Sequence, residues 1–218
     1  KNLKNLKRHY CLNGTIGIAH TRWATHGKPS KENAHPHYDN NNTFAVVHNG
    51  IIENYHDLKE FLIKKGYTFY SQTDTEVIPN LIHYYYTKDD NHDNLQVLRA
   101  VHKACMDLQG SFGLQIISTF MPDNLIVVRK DSPLVIGKGN GENYVSSDIP
   151  AILSFTKDFY LLNDYEFAVL SRDKIDFYDI NLNKIEKCVK TIDWDASSAD
   201  KNGYEDYMLK EIYEQPNA

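Results

Sequence analysis

Residues 111–139 read SFGLQIISTFMPDNLIVVRKDSPLVIGKG, and this stretch decides the fold class. It contains short apolar runs rich in strand-forming residues, separated by turn-forming Pro, Asp, Asn and Gly. Further runs of the same kind follow at short intervals: NYVSS, FYLLN, EFAVLS and KIDFYDI. Closely spaced strands separated by turns predict an antiparallel meander.

Helical patterns precede the meander. Apolar residues recur at helical spacing over 54–66, from about residue 73 onward, and over 94–108. Asn54 is a candidate cap for the first helix, and Thr73 with Glu76 is a candidate capping box for the second. A last amphipathic stretch, YEDYMLKEIYEQ, lies close to the C-terminal end of the sequence.

Two apolar runs lie before the helices. TIGIAH (15–20) and FAVVH (44–48) predict buried strands, each ending at a polar or glycine-containing corner. Strands, then helices, then many strands are typical of an α+β protein with helices layered on antiparallel sheet.

Composition narrows the functional classes. The chain has 218 residues and a formal net charge of -5, and its mean hydropathy is -0.54. Mild acidity gives no support for a nucleic-acid partner, and no apolar run predicts a membrane span. The opening KNLKNLKRHY lacks the apolar region of a secretory signal. The three cysteines are far apart, which favours a reducing, cytoplasmic compartment over a disulfide framework.

The first polar corner that could bind a ligand is GIAHTRWATHGKPS, residues 17–30. Arg22 is suited to bidentate capture of a carboxylate or phosphate, and Trp23 beside it offers a rigid apolar wall. The alternative is a surface loop whose arginine forms a structural ion pair.

Two further corners carry polar groups. In HNGIIEN (48–54), the Asn49 side-chain amide and the Gly50 N–H are candidates for an oxyanion hole, although Asn-Gly also predicts a tight turn. In SQTDTEV (71–77), Asp74 is either a helix cap or the carboxylate that binds a substrate ammonium group, and the two roles are compatible.

Two weaker patterns concern cofactors. Five of the ten histidines lie between residues 20 and 48, and with Asp39, Asp74 and Glu76 they leave open a metal-dependent hydrolase. No Cys-x-x-Cys or HExxH accompanies them, so no metal is expected. Gly137-x-Gly139-x-Gly141 resembles a fragment of a dinucleotide fingerprint but lies between strands, which favours a hairpin. No cofactor is predicted.

Several stretches are recognisable together. They are GIAHTRWATHGKPSKENAHPH (17–37), VVHNGIIENYHDLKEFL (46–62), GYTFYSQTDTEVI (66–78), SPLVIGKGNGENYVSSD (132–148) and MLKEIYEQP (208–216). In order and spacing they resemble the glutaminase domain of the isomerising glutamine–fructose-6-phosphate aminotransferases, a class II glutamine amidotransferase family.

The resemblance implies a fold and a reaction. The fold is of the N-terminal-nucleophile hydrolase type, with two antiparallel sheets between helical layers. An N-terminal cysteine attacks the side-chain amide of glutamine, with its own amino group as base. The resulting ammonia passes to a C-terminal isomerase domain, which converts fructose 6-phosphate to glucosamine 6-phosphate.

The resemblance also implies roles for individual residues. Arg22 would hold the α-carboxylate of glutamine and Asp74 its α-ammonium, while Thr25 and His26 would line the site beside them. Asn49 and Gly50 would form the oxyanion hole. Trp23 matches the family tryptophan that gates the passage of ammonia, and His35 matches a family histidine near the interdomain face.

The segment that carries the nucleophile in the family has no counterpart here, since residue 1 is Lys. The sequence therefore predicts that residues 1–195 are a glutaminase domain without its nucleophile segment, inactive alone. Residues 196–218 are expected to form an exit helix and linker toward the isomerase domain of a homo-oligomeric parent. A non-catalytic glutamine- or glutamate-binding remnant is the alternative.

Overall fold

The computed structural model describes residues 14–22, 27–193 and 206–215, apart from the side chains of Tyr207, Glu211 and Glu214. The described residues form four helices: α1 (Tyr55–Lys64), α2 (Val77–Thr87), α3 (Gln96–Asp107) and α4 (Tyr207–Glu214). Their strands are β1 (His37–Tyr38), β2 (Phe44–Ile52), β3 (Gly110–Ser118), β4 (Met121–Lys130), β5 (Val135–Lys138), β6 (Asn143–Ser146), β7 (Asp158–Leu161), β8 (Phe167–Leu170), β9 (Ile175–Tyr178), β10 (Lys184–Ile185) and β11 (Lys190–Thr191).

Seven of the described strands form one antiparallel sheet in the order β1-β2-β3-β4-β8-β9-β10. Its longest pairing joins β2 to β3 over nine residue pairs, from Phe44 opposite Ser118 to Ile52 opposite Gly110. The predicted meander is confirmed here, but the chain leaves this sheet after β4 and returns at β8.

The intervening strands contribute to a second antiparallel sheet in the order β11-β7-β5-β6. The β5–β6 hairpin pairs Val135 with Ser146 and Lys138 with Asn143, and the predicted glycine-rich hairpin is therefore confirmed. Its turn is closed by the N–H of Gly139, which donates to the carbonyl oxygen of Glu142 at 3.0 Å.

Side-chain alternation along β4 explains how the layers pack. Ile126 and Val128 face the core shared with helices α1, α2 and α3, while Val127 faces the core between the two sheets. Successive side chains on a strand point to opposite faces, so an apolar run such as LIVV supplies both cores at once. On the outer side of the second sheet, Ile152 and Leu153 cover Val135 and Phe159.

The predicted strand over 15–20 is wrong for the part of the chain that the structure describes. Ile16 and Ile18 alternate in exposure with their neighbours as in a strand, but the segment pairs with no other described strand. A strand is defined by its hydrogen-bonded neighbour, so an extended conformation alone does not make one.

The predicted helices are confirmed, with changes at their ends. Helix α1 is followed by Gly66 at a φ of 94°, the left-handed conformation that glycine adopts most readily after a helix. Asn54 does not cap it; its Nδ2 group donates to the carbonyl oxygen of Asp107 at 2.8 Å, which ties the start of α1 to the end of α3. No helix in the described ranges has the length and apolarity to cross a membrane.

Candidate functional site

A cavity of about 160 Å³ brings together predicted site residues that are distant in sequence. Its wall includes Arg22, Asn49, Gly50 and Asp74. The other lining residues are His20, Thr21, His35, His48, Thr73 and Thr75. Three further predicted residues, Trp23, Thr25 and His26, lie outside the described residues.

Asn49 and Gly50 lie within β2, so the tight-turn interpretation of Asn-Gly is wrong. Asn49 is opposite Gly113 of β3, and Gly50 is opposite Phe112. Gly50 has a φ of 133°, and a Cβ at this position would lie 2.1 Å from the carbonyl oxygen of Ser111. Glycine is required because both the conformation and the close approach of β3 exclude a side chain.

The Asn49 side chain has a specific partner on the opposite wall. The Nε2–H of His20 donates to Oδ1 of Asn49 at 2.6 Å. Because an asparagine amide carries its acceptor and its donors at opposite ends, this bond leaves the NH₂ group as the end that faces away from His20.

Asp74 is buried, with only 4% of its surface exposed. Its Oδ2 accepts a hydrogen bond from the backbone N–H of Ile52, at the end of β2, at 2.8 Å. It does not cap α2, which begins three residues later at Val77. The carboxylate is thereby fixed to the same strand that carries Asn49 and Gly50.

Residues 71–76 are held by the carboxylate of Glu76 and not by the predicted capping box. Glu76 accepts hydrogen bonds from the N–H groups of Tyr70 at 2.8 Å and Ser71 at 2.7 Å, and from the Ser71 hydroxyl at 2.6 Å. A buried carboxylate needs such donors to offset its desolvation. Glu76 therefore orders the loop that presents Asp74.

The Arg22 side chain is hydrogen-bonded to the backbone of residues that follow it in the sequence. Nη2 of Arg22 donates to the carbonyl oxygen of Gly27 at 3.1 Å. Buried Asn33 then joins this loop to the Asp74 loop: its Oδ1 accepts from the N–H of Gln72 at 2.9 Å, and its Nδ2 donates to the carbonyl oxygen of Lys28 at 3.0 Å.

Two histidines of the cavity are neutral at pH 7. Burial lowers the pKa of His48 to about 4, and burial together with the neighbouring imidazoles and Arg22 lowers that of His35 to about 3. Nδ1 of His48 and the Thr75 hydroxyl are hydrogen-bonded at 2.9 Å. Burial penalises the ionised form of each ring, and for His48 the nearby Asp74 carboxylate offsets only part of this penalty.

The alternative of a metal centre gains no support from the geometry. Within residues 14–22, 27–193 and 206–215, no group of three or more His, Cys, Asp or Glu side chains is arranged to hold a metal ion. Asp39 instead closes a turn, accepting from the N–H groups of Asn41, Thr43 and Phe44.

Neither described cysteine lines the cavity. Cys105 lies on the buried face of α3, where burial raises the pKa of its thiol, and Cys188 is exposed. A thiol with a raised pKa carries little thiolate, the nucleophilic form. Cys11 lies outside the described residues.

Sequence reasoning missed Asn33 and Thr75, which help to build the site, and it gave His20 and Glu76 roles other than the ones they have in the structure. Each acts through a partner that is distant in sequence or through a backbone group. The adjacency of His20 to Thr21-Arg22, and of Thr75 and Glu76 to Asp74, was the only local signal.

Known proteins resemble this chain over most of its length. Residues 20–154 match the family described as glutamine amidotransferase domain. The isomerizing glutamine–fructose-6-phosphate aminotransferase of Clostridium acetobutylicum is 52% identical over 217 residues, which is 100% of this chain and 34% of that protein. The Clostridium perfringens protein of the same name is 50% identical, with the same coverage. The chain thus spans about a third of the length of these curated relatives.

Solved structures show the same fold. Glutamine phosphoribosylpyrophosphate amidotransferase from B. subtilis, complexed with ADP and GMP, has a TM-score of 0.59 and 24% identity, covering 76% of this chain and 35% of that one. A structure described as the allosteric regulatory enzyme of purine biosynthesis has a TM-score of 0.59 and 24% identity, covering 75% and 35%. The expected α+β fold with two antiparallel sheets is confirmed. Among the described residues, a helical layer packs against the seven-stranded sheet, whereas the non-helical residues Ile152 and Leu153 cover the second sheet. Because the matched residues 20–154 exceed half of the chain and include Arg22, Asn49, Gly50 and Asp74, this protein belongs to the glutamine amidotransferase domain family.

Proposed function

We propose that this chain is the glutaminase part of an isomerising glutamine–fructose-6-phosphate aminotransferase. One observation carries the proposal: a cation, an anion and two candidate oxyanion donors line one cavity. Glutamine is a zwitterion with a carboxamide at its far end, so it needs these three kinds of partner at separate points.

In the proposed complex, Arg22 binds the α-carboxylate and Asp74 binds the α-ammonium. The carboxamide oxygen then faces the Asn49 NH₂ group and the Gly50 N–H. When a thiolate attacks the carboxamide carbon, the oxygen acquires negative charge, and these two donors stabilise it. Collapse of the tetrahedral intermediate breaks the C–N bond, releases ammonia after protonation and leaves a thioester, which water cleaves to glutamate.

The remaining assignments belong to the same proposal. The attacking thiol belongs to an N-terminal cysteine of the full-length protein, as the resemblance implies. Thr25 and His26 are assigned to substrate binding and Trp23 to gating of the ammonia, as the resemblance implies. Residues 1–195 form the glutaminase domain, and residues 196–218 lead toward an isomerase domain in a homo-oligomer. The threefold greater length of the relatives supports a further domain.

The proposed location is the cytoplasm. Cys105 and Cys188 are both free thiols, as is usual in a reducing compartment.

Calorimetric titration with L-glutamine and with glutaramate, which lacks the α-ammonium, tests the binding part of the proposal. Glutamine should bind, and the Arg22→Ala change should weaken it by about 10–100-fold, the equivalent of one charge-assisted hydrogen-bonded pair. Arg99→Ala is the matched control, because Arg99 pairs with Asp89 and Asp93 outside the cavity. Glutaramate should bind more weakly than glutamine.

Release of glutamate by the full-length protein tests the catalytic part. Hydrolysis that is lost in Arg22→Ala and retained in Arg99→Ala supports a glutaminase. Tight glutamine binding without any hydrolysis would instead indicate a glutamine-binding module, and absence of binding would refute the proposal altogether.

A further inference from the structure

We propose that His20 is a positioning residue for the oxyanion hole, holding the Asn49 side chain so that its NH₂ group faces the reacting carboxamide. The inference rests on the proposed function and adds a residue to it. His20 does not touch the reacting atoms in this scheme; it acts through Asn49.

The contact that carries the inference joins two walls of the cavity. His20 lies on the extended segment that precedes Arg22, and Asn49 lies 29 residues later in β2. Their Nε2 and Oδ1 atoms are 2.6 Å apart, and the contact is partly buried. The backbone of Asn49 is fixed by the ladder to β3, where it is opposite Gly113.

A fixed backbone does not fix the Asn49 amide. The last torsion of an asparagine side chain has broad, roughly two-fold preferences, so its O and NH₂ ends can exchange places at little cost. With NH₂ toward the substrate the group is a donor, and with Oδ1 toward it the group repels an oxyanion. A donor placed on the far side of the amide removes this ambiguity, because only Oδ1 can accept from it.

The His20 ring is suited to act as that donor. Its Nδ1 is buried and has no hydrogen-bond partner among the described residues. A buried N–H without an acceptor is costly, and an unused lone pair is less so. The tautomer that carries its proton on Nε2, bonded to Asn49, is therefore favoured.

Packing holds the ring in this orientation. The His20 and His35 ring centroids are 4.3 Å apart, and those of His35 and His37 are 5.1 Å apart. His37 in turn is hydrogen-bonded through Nε2 to the Thr73 hydroxyl at 3.0 Å, next to Asp74. The three rings thus connect the oxyanion side of the cavity to the Asp74 loop.

The expected consequence is a loss of rate without a loss of binding. An oxyanion exists only after attack on the carboxamide, so its donors act chiefly in the transition state. Removing one such donor typically lowers kcat by about 10²–10³. The rate falls in proportion to the fraction of Asn49 amides that are correctly oriented, so a loss of about 10–100-fold corresponds to an amide that is correctly oriented in about 1–10% of molecules.

The test uses the full-length protein with His20→Gln and His20→Met. These side chains have similar length and both lack the ring, but only glutamine carries an N–H donor. kcat and KM for glutamine hydrolysis and the Kd of L-glutamate are measured for both, alone and combined with Asn49→Ala. We expect kcat to be about 10–100-fold lower in His20→Met than in His20→Gln, with KM and Kd within about 2-fold. In the Asn49→Ala background the two His20 variants should not differ.

Several results would overturn the inference. Equal kcat values for the two variants would show that the donor is irrelevant. A loss confined to KM or to the Kd of glutamate would assign His20 to binding, and a difference that persists with Asn49→Ala would show that it acts elsewhere. The parent proposal fails separately: if Asn49→Ala alone leaves kcat unchanged, the oxyanion hole itself is wrongly placed.

Discussion

Replacement of Gly50 by alanine tests the geometry of the oxyanion side directly. Gly50 has a φ of 133°, a conformation that residues with a Cβ rarely adopt. A Cβ there would lie 2.1 Å from the carbonyl oxygen and 2.7 Å from the carbonyl carbon of Ser111. These atoms belong to the backbone of β3, so no side-chain rotation can relieve the contact.

Two costs add in this variant. A side chain forced into such a backbone conformation costs about 1–3 kcal/mol, and overpacking that displaces a backbone costs about 1–3 kcal/mol more. The free energy of unfolding should therefore fall by about 2–6 kcal/mol, a large part of the total for most domains. Since the strands must also separate, the N–H at residue 50 moves and glutamine hydrolysis should fall by about 10²–10³.

Two other glycines separate the contributions. Gly66 has a φ of 94°, and within the described part of the chain no atom beyond its chain neighbours lies within 4 Å of the position that an alanine methyl group would occupy, so Gly66→Ala reports backbone strain alone. At Gly113, opposite Asn49, the nearest atom would be the Pro133 carbonyl oxygen at 3.5 Å, an ordinary contact. Gly113→Ala should change stability by less than about 1 kcal/mol.

Urea denaturation followed by circular dichroism measures all three variants. The expected order of destabilisation is Gly50→Ala, then Gly66→Ala, then Gly113→Ala. If Gly50→Ala is no less stable than Gly66→Ala, the close approach of β3 contributes nothing and the argument fails.

Three further predictions concern charge and reactivity. Asp74→Asn keeps an oxygen to accept from the Ile52 N–H but loses the negative charge, so calorimetry should show glutamine binding weakened by about 10–100-fold with an unchanged urea midpoint; unchanged affinity would refute the ammonium role. Since the pKa of His48 is lowered from 6.5 to about 4, the unfolded chain takes up this proton first, and stability should fall between pH 6.5 and pH 4 by on the order of 3 kcal/mol. Urea titrations at several pH values check this. If the free energy of unfolding of the His48→Gln variant falls equally steeply with decreasing pH, the assignment to His48 is contradicted. Finally, buried Cys105 should resist a thiol reagent that labels Cys188, as peptide mass spectrometry would show; rapid labelling of Cys105 in the native protein would be the opposite result.

Much of the architecture follows from local patterns. The alternation of Ile126, Val127 and Val128 between two cores is a direct consequence of strand geometry. The helices over 54–66 and 94–108 are found at nearly the predicted positions because their apolar stripes match the helical period.

Failures occurred where contacts that no local pattern specifies, most of them with residues distant in sequence, decide the conformation. Asn49-Gly50 has the local preference of a turn, yet pairing with β3 keeps it in a strand. Thr73 and Glu76 have the spacing of a capping box, yet the carboxylate binds Tyr70 and Ser71 instead. The segment 15–20 has the alternation of a strand, and a neighbouring strand is what its sequence cannot specify.

The convergence of Arg22, Asn49 and Asp74 on one cavity was implied by the family resemblance and by no local pattern. Their separation along the chain is bridged by long-range contacts such as Asp74 with Ile52 and Asn33 with Gln72. Propensity and spacing carry no information about such pairs, which is why the contacts of His20 with Asn49 and of Asn33 with Gln72 were not predicted.

The nine-residue register between β2 and β3 has a consequence for how this domain tolerates change in length. Neighbouring side chains on a strand point to opposite faces, so a slip of one position turns every side chain of β2 over. A single-residue insertion or deletion between Phe44 and Asn49 would turn the asparagine amide to the opposite face of the sheet, away from the cavity. A substitution in β2 changes one side chain, whereas an insertion or deletion reorients the side chains that follow it. The length of β2 is therefore as important to the site as the residues that β2 carries.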